Sequence, residues 1–133
     1  MRSKTIKLLH PVAGQPMVAH VLQAARALKP QRCITVVGYQ ADAVEGALAG
    51  LSDRFVLQRE QRGTGHAVLQ ASRAIGKQDT PLLILNGDLP TLQPATLRRF
   101  LTRHRSSGAA LSLLTTHLED PTGYGRIVRD AQG

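Results

Sequence analysis

The chain has 133 residues, the size of one ordinary globular domain. Seventeen lysines and arginines against nine acids leave a net charge of +8, and 42% of the residues are apolar but only 3% aromatic, so the core is expected to be aliphatic. These values exclude a disordered tail, a collagen-like chain and a low-complexity linker.

The opening, Met1 to Val12, is basic, polar and without clear periodicity. It is not followed by the apolar stretch of a signal peptide, and no apolar run reaches the ~18 residues of a membrane-spanning helix. Pro16 to Leu28 reads as a helix with Met17, Val18, Val21, Ala25 and Leu28 on one side, stopped by Lys29-Pro30. Cys33 to Val37 is a β-branched run ending at Gly38 and reads as a buried strand. Cys33 has no partner for an internal disulfide and reads as a buried thiol in a reducing compartment, with the cytoplasm expected. A short helix over Ala41–Leu48, a strand over Arg54–Gln58 and a helix over Thr64–Ile75 follow. Pro81 to Leu85 is continuously apolar, the pattern of a strand buried on both faces, and runs into Asn86-Gly87-Asp88. Pro94 to His104 is a helix, Ala109 to Thr115 another buried strand, Pro121 to Gly125 a turn, and Arg126 to Val128 the start of a last strand.

Strands separated by helices of this length predict crossover units, hence an α/β fold with a mostly parallel sheet and helices on both faces. Ligands in such sheets bind at the carboxyl ends of the strands. That rule marks Gly38-Tyr39, Gln58 to Gly65, and Asn86 to Asp88. A fold of this type normally opens with a buried strand, and this sequence begins without one.

The positive charge favours polyanionic partners: nucleic acid, nucleotides, sugar phosphates or acidic lipid. Six basic residues precede the first acid, Asp42, and four arginines cluster at Arg98, Arg99, Arg103 and Arg105. The cluster lies off the stripe formed by Leu97, Phe100, Leu101 and His104, which makes it a solvated outer face. Asp88 stands just past a doubly apolar strand. It is either a carboxylate for Mg²⁺, shared with substrate phosphates, or one member of a strand-ending turn. Gln58 to Ala67 carries Gly63-Thr64-Gly65. Its glycines admit a ligand close to the backbone and Thr64 can cap the next helix; the same residues also suit a plain strand-to-helix connection. The spacing is not that of a phosphate-binding P-loop. Lys7 is either surface decoration or a point charge for a phosphate. The five histidines lack metal-ligand spacing, and nothing supplies a covalent nucleophile.

Four blocks together carry a resemblance. Lys7 to Met17 resembles the segment that follows the glycine loop in bacterial N-acetylglucosamine-1-phosphate uridyltransferases. Gln58 with Glu60 to Ala67 looks like that family's uracil-binding segment, and Asn86 to Pro90 like its metal-binding strand end. Asp120-Pro121-Thr122-Gly123-Tyr124-Gly125-Arg126-Ile127 is similar to its sugar-side turn. The resemblance covers essentially the whole chain and implies a Rossmann-like nucleotidyltransferase fold. By it, Lys7 would contact nucleotide phosphates, and Gln58, Gly63 and Thr64 would read uracil. Asn86 and Gly87 would line the ribose and sugar region, Asp88 would ligate Mg²⁺, and Gly125 would contact the amino sugar.

The family opens with a strand and a glycine loop of the form L-A-A-G-x-G-T-R-M, and often has Tyr where Asn86 stands here. The resemblance therefore implies that residues 1–133 are a single partial nucleotidyltransferase domain. The catalytic arginine is expected upstream of Met1, and no catalytic residue is assigned within the chain. The implied reaction joins UTP and N-acetylglucosamine-1-phosphate into UDP-N-acetylglucosamine and pyrophosphate, feeding cell-wall precursors, with this stretch expected to be inactive alone. The alternatives are another sugar-phosphate nucleotidyltransferase and a non-catalytic basic binding module. No membrane is implied, nucleic acid is not the favoured partner, and a homo-oligomeric full-length parent stays open.

Overall fold

The computed structural model describes residues 6–77 and 79–130, so Met1 to Thr5 of the polar opening lie outside the described residues. The chain enters through a short 3-10 turn over Lys7–Leu9. A two-residue hairpin follows, in which β1 (Pro11–Val12) pairs antiparallel with β2 (Gln15–Pro16). Its turn residues Ala13 and Gly14 both have positive φ, 48° and 81°, the hairpin geometry that matches the twist of the flanking strands. Sequence periodicity cannot show so short an element, and an alanine at the first of these positions gives no warning of it.

Helix α1 (Met17–Arg26) begins directly after Pro16, which fixes the entering backbone without needing a donor. It buries Val18, Ala19, Val21, Leu22 and Ala24, a wider face than the single stripe predicted. One side joins Cys33 just before the next strand, Val37 within it, and Val44 and Leu48 beyond it in the main core cluster. Contacts on the other side are with α4 (Pro94–Ser107), whose Leu97 is 1% exposed. The predicted stripe on α4 holds, with Leu97 buried, Phe100, Leu101 and His104 partly buried, and all four arginines exposed. Arg98 donates to the Ala27 carbonyl at the end of α1 (3.0 Å), covering one of the acceptors that a helix terminus leaves open.

Strand β3 (Ile34–Val37) crosses over through α2 (Ala41–Ala47) to β4 (Arg54–Leu57), and the two pair in parallel, Ile34 opposite Arg54 and Val37 opposite Leu57. Helix α3 (Thr64–Ile75) packs against both strands. These elements and α4 match the predicted ones to within a few residues. The α/β fold class thus stands, with parallel pairing through a helical crossover.

Asp53 ties three elements together. Its carboxylate accepts from Arg26 at the end of α1 (2.7 Å) and from the Cys33 amide at the entry to β3 (2.6 Å), while its own amide donates to the Cys33 carbonyl (2.9 Å). The Arg26 hydrogen bond, followed by the Cys33 amide, holds the Asp53 carboxyl below the usual carboxylate range. A carboxylate depressed in the folded state contributes stability above its unfolded pKa and loses it as pH falls through the folded one. The thermal midpoint is therefore expected to drop as pH falls through and below the ordinary aspartate range, and Asp53→Asn is expected to flatten that part of the profile. Both are read from melting curves at a series of acidic pH values; an unchanged profile in the variant would remove Asp53 from the account. Cys33 is buried and free as predicted, and burial raises its thiol pKa.

Three predicted strands are corrected. Pro81–Leu85, Ala109–Thr115 and Arg126–Val128 form no strand among the described residues. An apolar pattern reports the burial a segment tolerates, but a strand also needs a hydrogen-bonded neighbour. None of the described residues supplies one, and Leu82–Leu85 make no backbone hydrogen bond to any of them. Leu82, Ile84, Leu111, Leu113, Ile127 and Val128 are accordingly exposed. Leu111, Leu113, Thr115, Ile127 and Val128 flank an open groove of about 440 Å³. Among the described residues, no helix is long and apolar enough to cross a membrane.

Candidate functional site

Because β3 and β4 are parallel, their carboxyl ends lie together. The Gln58 amide extends the ladder by donating to the Val37 carbonyl (2.7 Å), which sets Gly38 beside the start of the connection to α3. There Gln61 Nε2 lies 3.0 Å from where a Cβ on Gly38 would stand, so this end of the sheet is closely packed.

The connection then turns into α3 through Gly63, whose φ of +90° suits glycine and strains other residues. Gly63, not Thr64, occupies the cap position, and no side-chain cap hydrogen bond is made. The expected Thr64 cap is thereby corrected: the glycine's backbone turns the chain one residue early, and Thr64 becomes the first helical residue. The first intrahelical bond runs from Ala67 N–H to the Gly63 carbonyl (3.1 Å). By helix geometry the amides before Ala67 have no partner within the helix. Gln58 Nε2 reaches back to the Gly63 carbonyl (3.3 Å) and to His66 Nδ1 (2.9 Å). Gln58, Gly63 and Thr64 therefore form one local group. His66 belongs to it; in the sequence it fell within the Glu60–Ala67 block but was given no role of its own beyond being weighed as a metal ligand. The available signal was its place one helical turn before Gln70, whose carboxamide lies 3.0 Å from the other ring nitrogen.

A second group brings together residues far apart in sequence. Lys7 Nζ lies 2.9 Å from Asp88 Oδ2 across 81 positions, with the two side chains 59% and 43% exposed. An exposed ion pair is too weak to fix this geometry. Packing fixes it: a Cβ on Gly87 would stand 3.3 Å from both Leu8 and Val18, so the backbone before Asp88 lies directly against the Lys7–Leu9 turn and α1. Asn86 and Gly87 precede Asp88 as expected, and Asn86 is exposed. Among the described residues no cluster of three or more His, Cys, Asp or Glu could enclose a metal. A single exposed carboxylate is a hard oxygen donor. It suits a cation such as Mg²⁺ that takes its other ligands from water and substrate phosphates.

Gly125 lies in a third place. Thr122 donates through its amide and hydroxyl to Asp120 (3.0 and 2.7 Å), the cause of that carboxyl's lowered pKa. Tyr124 N–H bonds the Pro121 carbonyl (3.0 Å), and Arg126 donates to the carbonyls of Pro121 and Tyr124. These bonds make the predicted turn and stay within it. Among the described residues no hydrogen bond joins any of the three groups to another.

The chemistry available is thus a cationic side chain beside an exposed carboxylate, and an amide-rich strand end. Comparison with known proteins shows the family. A family model described as "MobA-like NTP transferase domain" matches residues 1–131. The chain is similar to the "Bifunctional protein GlmU" of Enterococcus faecalis, 44% identical over 133 residues. It is likewise similar to the proteins of that name from Geobacter metallireducens (48% over 134 residues) and Paraburkholderia phymatum (49% over 133). Each alignment covers 100% of this chain but only 28–29% of the relative, so the chain spans less than a third of the length of these proteins. The match over residues 1–131 places the chain in the MobA-like NTP transferase domain family, the Rossmann-like nucleotidyltransferases.

Proposed function

We propose that this domain serves uridylyl transfer from UTP to N-acetylglucosamine-1-phosphate, giving UDP-N-acetylglucosamine and pyrophosphate, in a cytoplasmic protein of its relatives' length. The observation that carries the reading is the pairing of Lys7 with Asp88 across 81 residues. It sets a point charge suited to phosphate beside a carboxylate suited to a divalent cation. The relatives, all named as GlmU, and the Gly63-Thr64-Gly65-His66-Ala67 block support the uridylyl and amino-sugar assignments.

In the proposed reaction a phosphate oxygen of the sugar phosphate attacks the α-phosphorus of UTP in line, the α–β bridging bond breaks, and pyrophosphate leaves with its electron pair. No covalent bond to the protein forms. Lys7 binds the phosphates and offsets their charge, while Gln58, Gly63 and Thr64 orient the base. Asn86 and Gly87 border the ribose and sugar, and Gly125 belongs to the sugar-side turn. Asp88 would hold Mg²⁺, which when bound neutralises charge developing on the phosphates.

The test uses a chimera in which this chain replaces the matching segment of the Enterococcus faecalis relative. Pyrophosphate release with N-acetylglucosamine-1-phosphate is expected to favour UTP over CTP and GTP by on the order of 100-fold, because a mismatched base leaves buried polar groups unpaired. Equal rates with all three would remove the uridylyl assignment and return the reading to nucleotidyl transfer in general.

A further inference from the structure

The Gln58 side chain is held by two partners that do not have equal freedom. Its Nε2 faces the Gly63 carbonyl at 3.3 Å and His66 Nδ1 at 2.9 Å. Across the ring, His66 Nε2 faces Gln70 Nε2 at 3.0 Å, so both ring nitrogens face an amide nitrogen and one of the two carboxamides must turn over. A neutral imidazole has one donor and one acceptor nitrogen, and a terminal carboxamide exchanges its oxygen and nitrogen by a half-turn. The relay therefore has two self-consistent states. In one, bare Nδ1 accepts from Gln58 Nε2 and Nε2–H donates to the Gln70 oxygen. In the other, Nδ1–H donates to the Gln58 oxygen and Nε2 accepts from Gln70 nitrogen.

The Gly63 carbonyl decides between them, because it can only accept. The second state would turn Gln58 Oε1 against the Gly63 oxygen with no proton between them. The first gives each hydrogen of Gln58 Nε2 its own acceptor. Gln70 is exposed, so it is the carboxamide that turns over, bringing its oxygen to Nε2–H where its nitrogen now stands. Gln58 Oε1 is then left as an acceptor on the side of the carboxamide away from His66 and the Gly63 carbonyl. A uracil seated with N3 against that oxygen brings a proton to it; a cytosine in the same seat brings a bare nitrogen.

We propose that His66 is a positioning residue: as the Nε2–H tautomer it fixes the Gln58 carboxamide with its oxygen toward the base, and so sets discrimination between uracil and cytosine. This rests on the reading that Gln58 meets the base, and the experiment separates the two. Nitrogen-15 correlation of the His66 ring in the full chain, without nucleotide, is expected to show the Nε2–H tautomer. Titrations with UMP and CMP are expected to favour UMP. His66→Ala is expected to bring the two affinities together, with UMP weakened on the order of tenfold. His66→Asn is expected to keep the preference, since its side-chain oxygen can replace Nδ1 as acceptor. A merely structural role would rank the variants the other way, because alanine suits a helix better than asparagine. An Nδ1–H ring, or an unchanged UMP preference in His66→Ala, would overturn the positioning role alone. The Nε2–H tautomer in a chain that binds UMP and CMP alike would overturn the base-reading role of Gln58, and the inference with it.

Discussion

Replacing Asp88 by Asn in the chimera is expected to lower Mg²⁺-dependent pyrophosphate release on the order of 100-fold while leaving the melting curve in place. The substitution keeps the side chain's size and removes its charge, and charge is what a hard cation requires of a single protein ligand. The fold is expected to tolerate it. Asp88 is partly exposed, its place is set by Gly87 against Leu8 and Val18, and its ion pair with Lys7 is a surface pair. A near-normal rate with the usual metal dependence would leave Asp88 as a turn residue and nothing more.

Leu48→Ala is expected to cost ~2–5 kcal/mol, the range for emptying a fully packed leucine site. Leu48 is 0% exposed and sits in the core cluster where α1, β3 and the end of α2 meet. Leu82→Ala is expected to cost well under about 1 kcal/mol, because that side chain is 54% exposed and forfeits little burial. Denaturant unfolding of the two variants measures the contrast. Equal losses would mean that Leu82 is as well packed as Leu48, against the exposure of the 81–85 segment.

The contrast shows what the sequence could and could not convey. Helices α1, α3 and α4 were legible because each carries an apolar face at helical spacing and a local start signal: Pro16, Gly63 or Pro94. Strands β3 and β4 were legible because a helical crossover supplies each with the other as neighbour. The 81–85, 109–115 and 126–128 segments carry equally strong patterns, but pattern does not supply a hydrogen-bonding neighbour. Of the site, Asp88 and Lys7 were each marked in the sequence as one of two readings, but their pairing was not legible, because no local rule links positions 81 apart. The role of His66 was hidden for a different reason. It depends on which way two carboxamides face, and Gly63's backbone oxygen decides that.

Hydrogen exchange on this chain with and without UTP and Mg²⁺ tests the central claim, that the Gln58 group and the Lys7–Asp88 group bind a nucleotide. The account predicts slowed exchange at residues 58–66 and 86–89 with UTP, and a weaker effect with CTP at the same concentration. No UTP-dependent protection at either group, together with salt-dependent binding to random DNA, would contradict it and make the chain a basic binding module.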